Sequence, residues 1–149
     1  VSRLSALDAG LDARTPSPAL RHTSRAQGRA LLRAGRAIWP IGPGPVQPHH
    51  PVALGMVAAA AGLGPLEAAV AAGYGTISGP ASAAVRLLGL DPYAVHALLA
   101  RLAGECDRLA AQAVERIDDP VDDLPADSAP LLEIGAEIHA SREVRLFAS

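Results

Sequence analysis

The sequence predicts an all-α protein, a compact helical bundle of about six helices. Half of its 149 residues are hydrophobic and only 3% are aromatic, so its core must be built from alanine, leucine and valine. Alanine and leucine are among the best helix formers. Prolines that follow capping residues mark several helix starts, and no segment convincingly resembles a strand. At this length we expect residues 1–149 to form one helical domain.

The first two helices are separated by a clear start signal. A short helix is expected over Arg3–Ala13. Ser17 and Pro18 follow it, and these residues suit the N-cap and the first position of a second helix. This second helix is expected to end at Trp39. Five residues are expected on its inward face: Leu20, Gly28, Leu31, Gly35 and Ile38.

A ridge of arginines is predicted on the neighbouring face of the second helix. Its members are Arg21, Arg25, Arg29, Arg33 and Arg36. Seven arginines and two aspartates give residues 1–40 a charge of +5, whereas five arginines and eleven acids give residues 101–149 a charge of −6. Two interpretations of the ridge remain open: a solvated face, or a surface that binds an anionic protein, nucleotide or nucleic acid.

Two adjacent histidines end a proline-rich loop. Residues 40–51 contain five prolines and must be a stiff surface segment. His50 is expected to cap the next helix, Pro51–Ala61. Adjacent histidines lack the spacing that puts two rings on one helix face, and no third ligand is near, so metal binding is the minor alternative for His49 and His50. We predict neither a metal site nor a cofactor.

The fourth helix is expected to begin at Pro65 and to be interrupted by Pro80, which should kink or break it near Thr76. Its glycines are interpreted as points of close helix packing; they are Gly73, Gly75 and Gly79. This stretch lacks the lysine and the preceding strand of a phosphate loop, so nucleotide binding is excluded there. Tyr74 and Arg86 carry the functional groups of this helix.

Two further helices complete the expected bundle. The first starts at Asp91 and Pro92 and runs to about Ile117, with the single cysteine, Cys106, as a buried structural thiol. Its buried stripe is expected to contain Leu98, Leu102, Leu109 and Val114. After an acidic loop over residues 118–127, Ser128 is expected to cap the last helix, from Ala129 to about Ser141. The inward face of that helix is expected to contain Leu131, Leu132, Gly135 and Ile138.

The last residues of the chain carry an isolated aromatic side chain. Phe147, the only phenylalanine, lies within Arg145–Ser149 beside an arginine. Either this end folds back onto its own domain, or it is a docking tail whose apolar anchor orders against a partner protein. Both interpretations fit the residues.

Several functional classes are disfavoured by what the sequence contains. Serines, histidines and carboxylates show no catalytic arrangement. The apolar run over residues 52–72 is interrupted by glycines, Pro65 and Glu67, so it is not expected to span a membrane. Without a signal peptide, a cytoplasmic protein is expected.

In its motifs the chain closely resembles the UreF family of urease accessory proteins. The matching stretches are Thr15–Arg21 with Ser24, Gly28, Leu31 and Leu32; His50–Gly55; Tyr74–Leu88; Ala129–Ile134; His139; and Arg145–Ser149. Two departures are Ala140, where the family often has Glu, and Asp91-Pro92, where it often has Gly-Gln. The family's N-terminal helical segment with a Pro-x-Gly-Gly turn has no counterpart, so the chain looks like the C-terminal two-thirds of the pattern. A bundle shortened in this way should leave apolar helix faces uncovered.

The resemblance implies a non-enzymatic scaffold for the maturation of urease. Members of the family bind UreD (UreH in some organisms), recruit the GTPase UreG to the urease apoprotein for assembly of its nickel centre, and often form dimers. The residues expected to bind partners are Tyr74, Arg86, His139, Arg145, Leu146, Phe147 and Ser149. No nucleic acid or membrane partner is implied. Two alternatives are a nucleic-acid-binding module that uses the Arg21–Arg36 ridge, and an all-α enzyme with a pocket near Tyr74 and Arg86.

Overall fold

The predicted all-α class is confirmed by a computed structural model, which describes residues 2–142. Those residues form six α-helices and one 3-10 turn, without a β-strand. The helices are α1 (Arg3–Arg14), α2 (Pro18–Arg36), α3 (His50–Ala60), α4 (Pro65–Leu88), α5 (Pro92–Glu115) and α6 (Pro130–Ala140), with the 3-10 turn over Val121–Asp123. The chain divides into two compact units. The first contains residues 2–61 and 119–142, and the second contains residues 62–118.

The predicted start signals of α2 and α5 are confirmed. Oγ of Ser17 accepts a hydrogen bond of 3.1 Å from the backbone N–H of Leu20, and Oδ1 of Asp91 accepts one of 3.0 Å from Tyr93. Each cap satisfies a backbone donor that has no partner within its own helix. In both helices a proline follows the cap, as the sequence predicted.

The core of the first unit lies between α2 and α3. It is centred on the buried side chains of Leu32, Val52, Ala53 and Met56. Partly buried residues pack against this centre: Leu4, Leu7, Leu11, Leu31, Ile41 and Val57. Gly28 brings α2 very close to the following loop, because a Cβ built there would lie 2.1 Å from the carbonyl oxygen of Pro48.

The predicted inward face of α2 needs correction. Its buried residues are Gly28, Leu32 and Gly35, while Ile38 is 67% exposed. The helix ends at Arg36 rather than at Trp39, since the residue before a proline disfavours helical backbone and Pro40 follows. Ile38 therefore lies beyond the helix and does not continue its face.

The second unit is a hairpin of α4 and α5. Gly89, in the left-handed region at φ 64°, ends α4. The buried side chains of the hairpin are Cys106 and Ala110, so the prediction of a buried thiol is confirmed. Pro80 lies inside α4, which runs without interruption from Pro65 to Leu88, and the predicted break near Thr76 does not occur.

Candidate partner-binding surfaces

A row of leucines on α5 faces water. Leu98, Leu102 and Leu109 are all exposed, Leu109 to 51%, and Val114 is half-buried. The predicted buried stripe is therefore wrong for its three leucines. The residues that α5 turns toward α4 are smaller, and Cβ of Cys106 lies 3.7 Å from a Cβ built on Gly73. Close packing by these small side chains leaves the three leucines exposed to water.

Tyr74 and Arg86 both lie on the exposed surface of α4. The side chain of Tyr74 is 53% exposed, and Arg86 is in the last turn, where its cation is favourably placed against the helix dipole. A Cβ built on Gly75 or Gly79 would meet nothing within 4 Å. Among the three glycines of this helix, only Gly73 supports the predicted close packing.

The last helix, α6, turns its large apolar side chains outward. Leu131 is 85% exposed, and Leu132, Ile134 and Ile138 are exposed as well. The buried residue of the helix is Ala136, so the predicted inward face of Leu131, Leu132, Gly135 and Ile138 is wrong. Small residues allow α6 to approach α2, and larger ones point away. His139 is half-buried in its last turn.

The start of α6 also differs from the prediction. Its N-cap position is Ala129 rather than Ser128, and no side chain caps it there. The predicted docking tail, with Arg145, Leu146, Phe147 and Ser149, lies outside the described residues.

The arginine ridge of α2 is divided in two. Nη1 of Arg21 donates to the carbonyls of Thr15 at 2.6 Å and Pro16 at 2.9 Å, and Nη1 of Arg29 donates to Oε1 of Gln47 at 3.0 Å. Arg25 is bound by two carboxylates, described below. Arg33 and Arg36 remain on the exposed surface. The ridge therefore serves mainly to fix α2 to its neighbours and offers little continuous charge for a nucleic acid.

The sequence reasoning missed a buried polar network around His49, whose side chain is 2% exposed. Nε2 of His49 lies 2.9 Å from Oδ1 of Asp12, and Nδ1 lies 3.0 Å from Oγ of Ser24. Arg25 bonds to Oδ2 of Asp8 at 3.0 Å and to Oδ2 of Asp12 at 2.5 Å. The network joins α1, α2 and the loop before α3, and its members are up to 41 residues apart in sequence.

The same network caps α3 from outside that helix. The helix begins at His50, with His49 at the N-cap position, so the prediction that His50 is the cap is wrong. The His49 N–H donates to Oδ1 of Asp8 at 2.7 Å, and the His50 N–H donates to Oγ of Ser24 at 3.1 Å. Carboxylate and hydroxyl groups of other helices thus satisfy the first donors of α3.

The electrostatics of the network follow from these contacts. The hydrogen bond from His49 lowers the pKa of Asp12 most strongly; desolvation opposes it, and the bond and charge of Arg25 add to it. An ionised Asp12 only accepts, so Nε2 of His49 carries the proton of this bond. Both ring nitrogens of His49 are thereby engaged. The part of the chain that the structure describes contains no group of three or more potential metal ligands.

An apolar cleft of about 370 Å³ lies in the first unit, between α1, α3 and the segment that follows α5. Its lining is mainly aliphatic: Leu4, Leu7, Gly10, Leu11, Arg14, Pro51, Val52, Gly55, Val121, Leu124 and Pro125. The guanidinium group of Arg14 is the charged group of the lining, and it is already bonded to backbone carbonyls. The cleft therefore offers volume and apolar surface but no acid or base.

Fold and surface together are typical of an all-helical protein that binds other proteins, because large apolar faces exposed to water mark interaction sites. No described helix combines the length and the apolar character needed to cross a membrane. A family model described as UreF matches residues 1–103. The chain belongs to the UreF family of urease accessory proteins.

Individual relatives agree with this assignment, and each is named urease accessory protein UreF. The protein of Mycobacterium sp. (strain JLS) is 48% identical over 153 residues, which cover 98% of this chain and 67% of the relative. The protein of Mycolicibacterium vanbaalenii is 45% identical, covering 95% and 64%, and that of Mycobacterium marinum is 46% identical, covering 95% and 65%. The chain thus spans about two-thirds of the length of these relatives. No solved structure matches it.

Proposed function

We propose that this chain is a scaffold for the maturation of urease. Together with UreD (UreH in some organisms) it recruits the GTPase UreG to the urease apoprotein, where the nickel centre is assembled. It acts in the cytoplasm, catalyses no reaction itself and forms homodimers. Membership of the UreF family supports this role, and the exposed leucine row of α5 is the structural observation that carries it.

The apolar faces explain why binding, rather than catalysis, is proposed. Exposed leucines on α5 and exposed aliphatic side chains on α6 cost free energy in water, and burial against a partner recovers about 25 cal/mol for each Å² of apolar surface. The described residues present no general acid or base beside the apolar cleft. A surface of this kind favours association with other proteins.

Individual residues are proposed as partner contacts on the same grounds. Tyr74 and Arg86 offer an exposed aromatic ring and a cation on α4, and side chains of these types are enriched at interfaces. His139 lies in the last turn of α6, next to the exposed Ile138, and is proposed as a contact at the edge of that apolar face. The terminal anchor is proposed from the sequence alone and contains Arg145, Leu146, Phe147 and Ser149.

The proposal is tested by supplying the chain to cells that express a urease operon from which the gene of the UreF protein has been deleted. Urease activity and nickel per active site are measured, together with co-purification of UreD and UreG. We expect the chain to restore activity and to retain both partners. Urease that matures equally well without the chain would contradict the proposal.

Two kinds of variant test the terminal tail and the leucine row of α5 separately. Deleting Arg145–Ser149 is expected to abolish capture of UreD while the helical circular dichroism is kept. Replacing Leu98 and Leu102 with serine is expected to weaken partner capture, and Asp127→Ala, on the exposed acidic loop, is the control. Undiminished capture by the tail deletion would exclude the docking tail. Hydrolysis of GTP by the pure chain would contradict its role as a scaffold.

A further inference from the structure

Arg14 of α1 fastens the segment that precedes α6. Nη2 of Arg14 donates to the carbonyl oxygens of Val121 at 2.7 Å and Leu124 at 3.1 Å, and its Nε donates to the carbonyl of Pro125 at 3.2 Å. A guanidinium group carries five donors in a rigid plane, so one side chain can hold several carbonyls at once. The chain is therefore fixed up to residue 125.

The connection between this clamp and α6 is short and open to water. Residues 126–129 are all exposed and belong to no helix. Pro130 opens α6 without a side-chain cap at Ala129. A few exposed residues between two ordered elements can absorb a change in backbone angles at small cost, which is the property of a hinge.

At the other side of α6, one carboxylate oxygen joins the helix to the start of α2. Oε1 of Glu137 accepts a hydrogen bond from Oγ of Ser17 at 2.5 Å and one from the N–H of Ala19 at 2.9 Å. The Ser17 hydroxyl in turn accepts from the N–H of Leu20. A negative charge at a helix N-terminus is stabilised by the helix dipole.

The apolar packing of α6 is weak by comparison. It buries one side chain, that of Ala136, and leaves four large aliphatic residues in water. Burial of a methyl group contributes little free energy beside that of a leucine. The two hydrogen bonds of Glu137 are therefore specific contacts that keep α6 against α2. The pKa of Glu137 is lowered, first by the Ser17 hydroxyl and then by the Ala19 N–H, in agreement with an ionised cap.

We propose that α6 is a strap that opens as a unit about residues 126–129, with Glu137 as its latch on the N-terminus of α2. In the closed state the carboxylate caps α2, and in the open state α6 separates while α1, α2 and α3 keep their packing. The clamp made by Arg14 holds the fixed side of the hinge. This inference does not depend on the role in urease maturation.

The test is hydrogen–deuterium exchange of the whole chain, read by mass spectrometry. Glu137→Ala is expected to raise the exchange rate of residues 131–140 about tenfold, the factor that corresponds to the loss of one helix cap. The rates of peptides from α3 are expected to change less than twofold. Glu133→Ala, one turn away on the same helix, is the matched control and should change neither. Glu137→Gln keeps an acceptor without its charge and should give an intermediate rate.

Each other outcome overturns the proposal. If Glu137→Ala exchanges no faster than Glu133→Ala, the carboxylate is not a latch. If protection falls in α3 together with α6 in both Glu137 variants, the helix is an integral part of the first unit and not a strap. Equal acceleration by Glu133→Ala would show a general effect of removing a negative charge from α6, and not the loss of a specific latch.

Discussion

Nε2 of His49 lies 2.9 Å from Oδ1 of Asp12, and the imidazole that makes this contact is almost completely buried. A polar pair therefore fixes the position of α1 against the loop that precedes α3. Burying polar groups is favourable only when each of them is paired, and every partner in this network has a second bond. The contacts of α1 are specified by this pairing as well as by its leucines.

Removal of the Asp8 carboxylate tests the network. Asp8→Ala leaves the His49 N–H without its acceptor and takes one of two carboxylates from Arg25, so the first unit should lose about 2–4 kcal/mol of unfolding free energy. Urea unfolding followed by the fluorescence of Trp39, the single tryptophan, measures the loss. Asp122→Ala, on an exposed side chain, should cost less than about 0.5 kcal/mol. Equal losses for the two variants would show that the network contributes nothing specific.

Two glycines of the first unit should respond in opposite directions to the same substitution. A Cβ on Gly28 would lie 2.1 Å from the carbonyl oxygen of Pro48, so Gly28→Ala must move backbone and should destabilise the unit by about 1–3 kcal/mol. A Cβ on Gly55, inside α3, would meet nothing within 4 Å. Gly55→Ala should stabilise the unit by about 0.5–1 kcal/mol, because alanine is the better helix former. Thermal unfolding followed by circular dichroism compares them, and a stabilised Gly28→Ala would contradict the observed packing.

Acid should destabilise the first unit. The pKa of Asp12 is lowered from 3.8, chiefly by His49, and that of Glu137 is lowered from 4.5, chiefly by Ser17. Folding therefore favours the ionised carboxylates. The stability that they contribute is present above those ordinary values and is lost as pH falls through the lower folded values.

The measurement is the urea concentration at which half of the protein is unfolded, determined at several pH values from about 6 to about 3. Both carboxylates gain protons in the unfolded chain over this range. Glu137→Gln removes one of these groups, so its midpoint should depend less on pH than that of the parent. An identical pH dependence in the two proteins would show that Glu137 is not linked to folding.

Replacing a buried leucine with alanine should lower the free energy of unfolding more than replacing an exposed one. Leu32→Ala empties a core position and should cost about 2–5 kcal/mol. Leu109→Ala on α5 and Leu131→Ala on α6 remove side chains that are mostly in water, so each should cost less than about 1 kcal/mol. Urea unfolding followed by Trp39 fluorescence measures the loss for Leu32→Ala and Leu131→Ala, which lie in the same unit as Trp39. Thermal unfolding followed by circular dichroism measures the loss for Leu109→Ala, which lies in the second unit. A large loss for Leu109→Ala would mean that the row on α5 is part of the core.

Local signals in the sequence predicted the helices well. Ser17-Pro18 and Asp91-Pro92 each place a capping side chain before a residue that suits the first helical turn, and these patterns are independent of the rest of the fold. Gly89 ends α4 through an equally local signal, a glycine at positive φ, which the sequence-based prediction did not use. The starts of α2 and α5 were therefore accessible. The start of α3, where Asp8 of another helix binds the N–H of His49, was not, and neither were the end of α2 and the start of α6.

Burial was harder to predict, because it depends on what lies opposite a helix. Leu102 and Leu131 fit apolar stripes, yet the hairpin and the last helix pack through Cys106 and Ala136 instead. The polar network was missed since its members are up to 41 residues apart. One signal for the network was available in the sequence. Asp8 and Asp12 are the two acids among the first forty residues, they lie one helical turn apart, and seven arginines in the same stretch could pair with them.

The buried side chains in the hairpin of α4 and α5 are a thiol and a methyl group, while several of its leucines are exposed to water. Because the buried side chains of this helix pair are small, little apolar surface opposes its unfolding, and we expect its lifetime in solution to depend on whether a binding partner is present. Preparations made together with a binding partner should stay dispersed at concentrations where the lone chain precipitates.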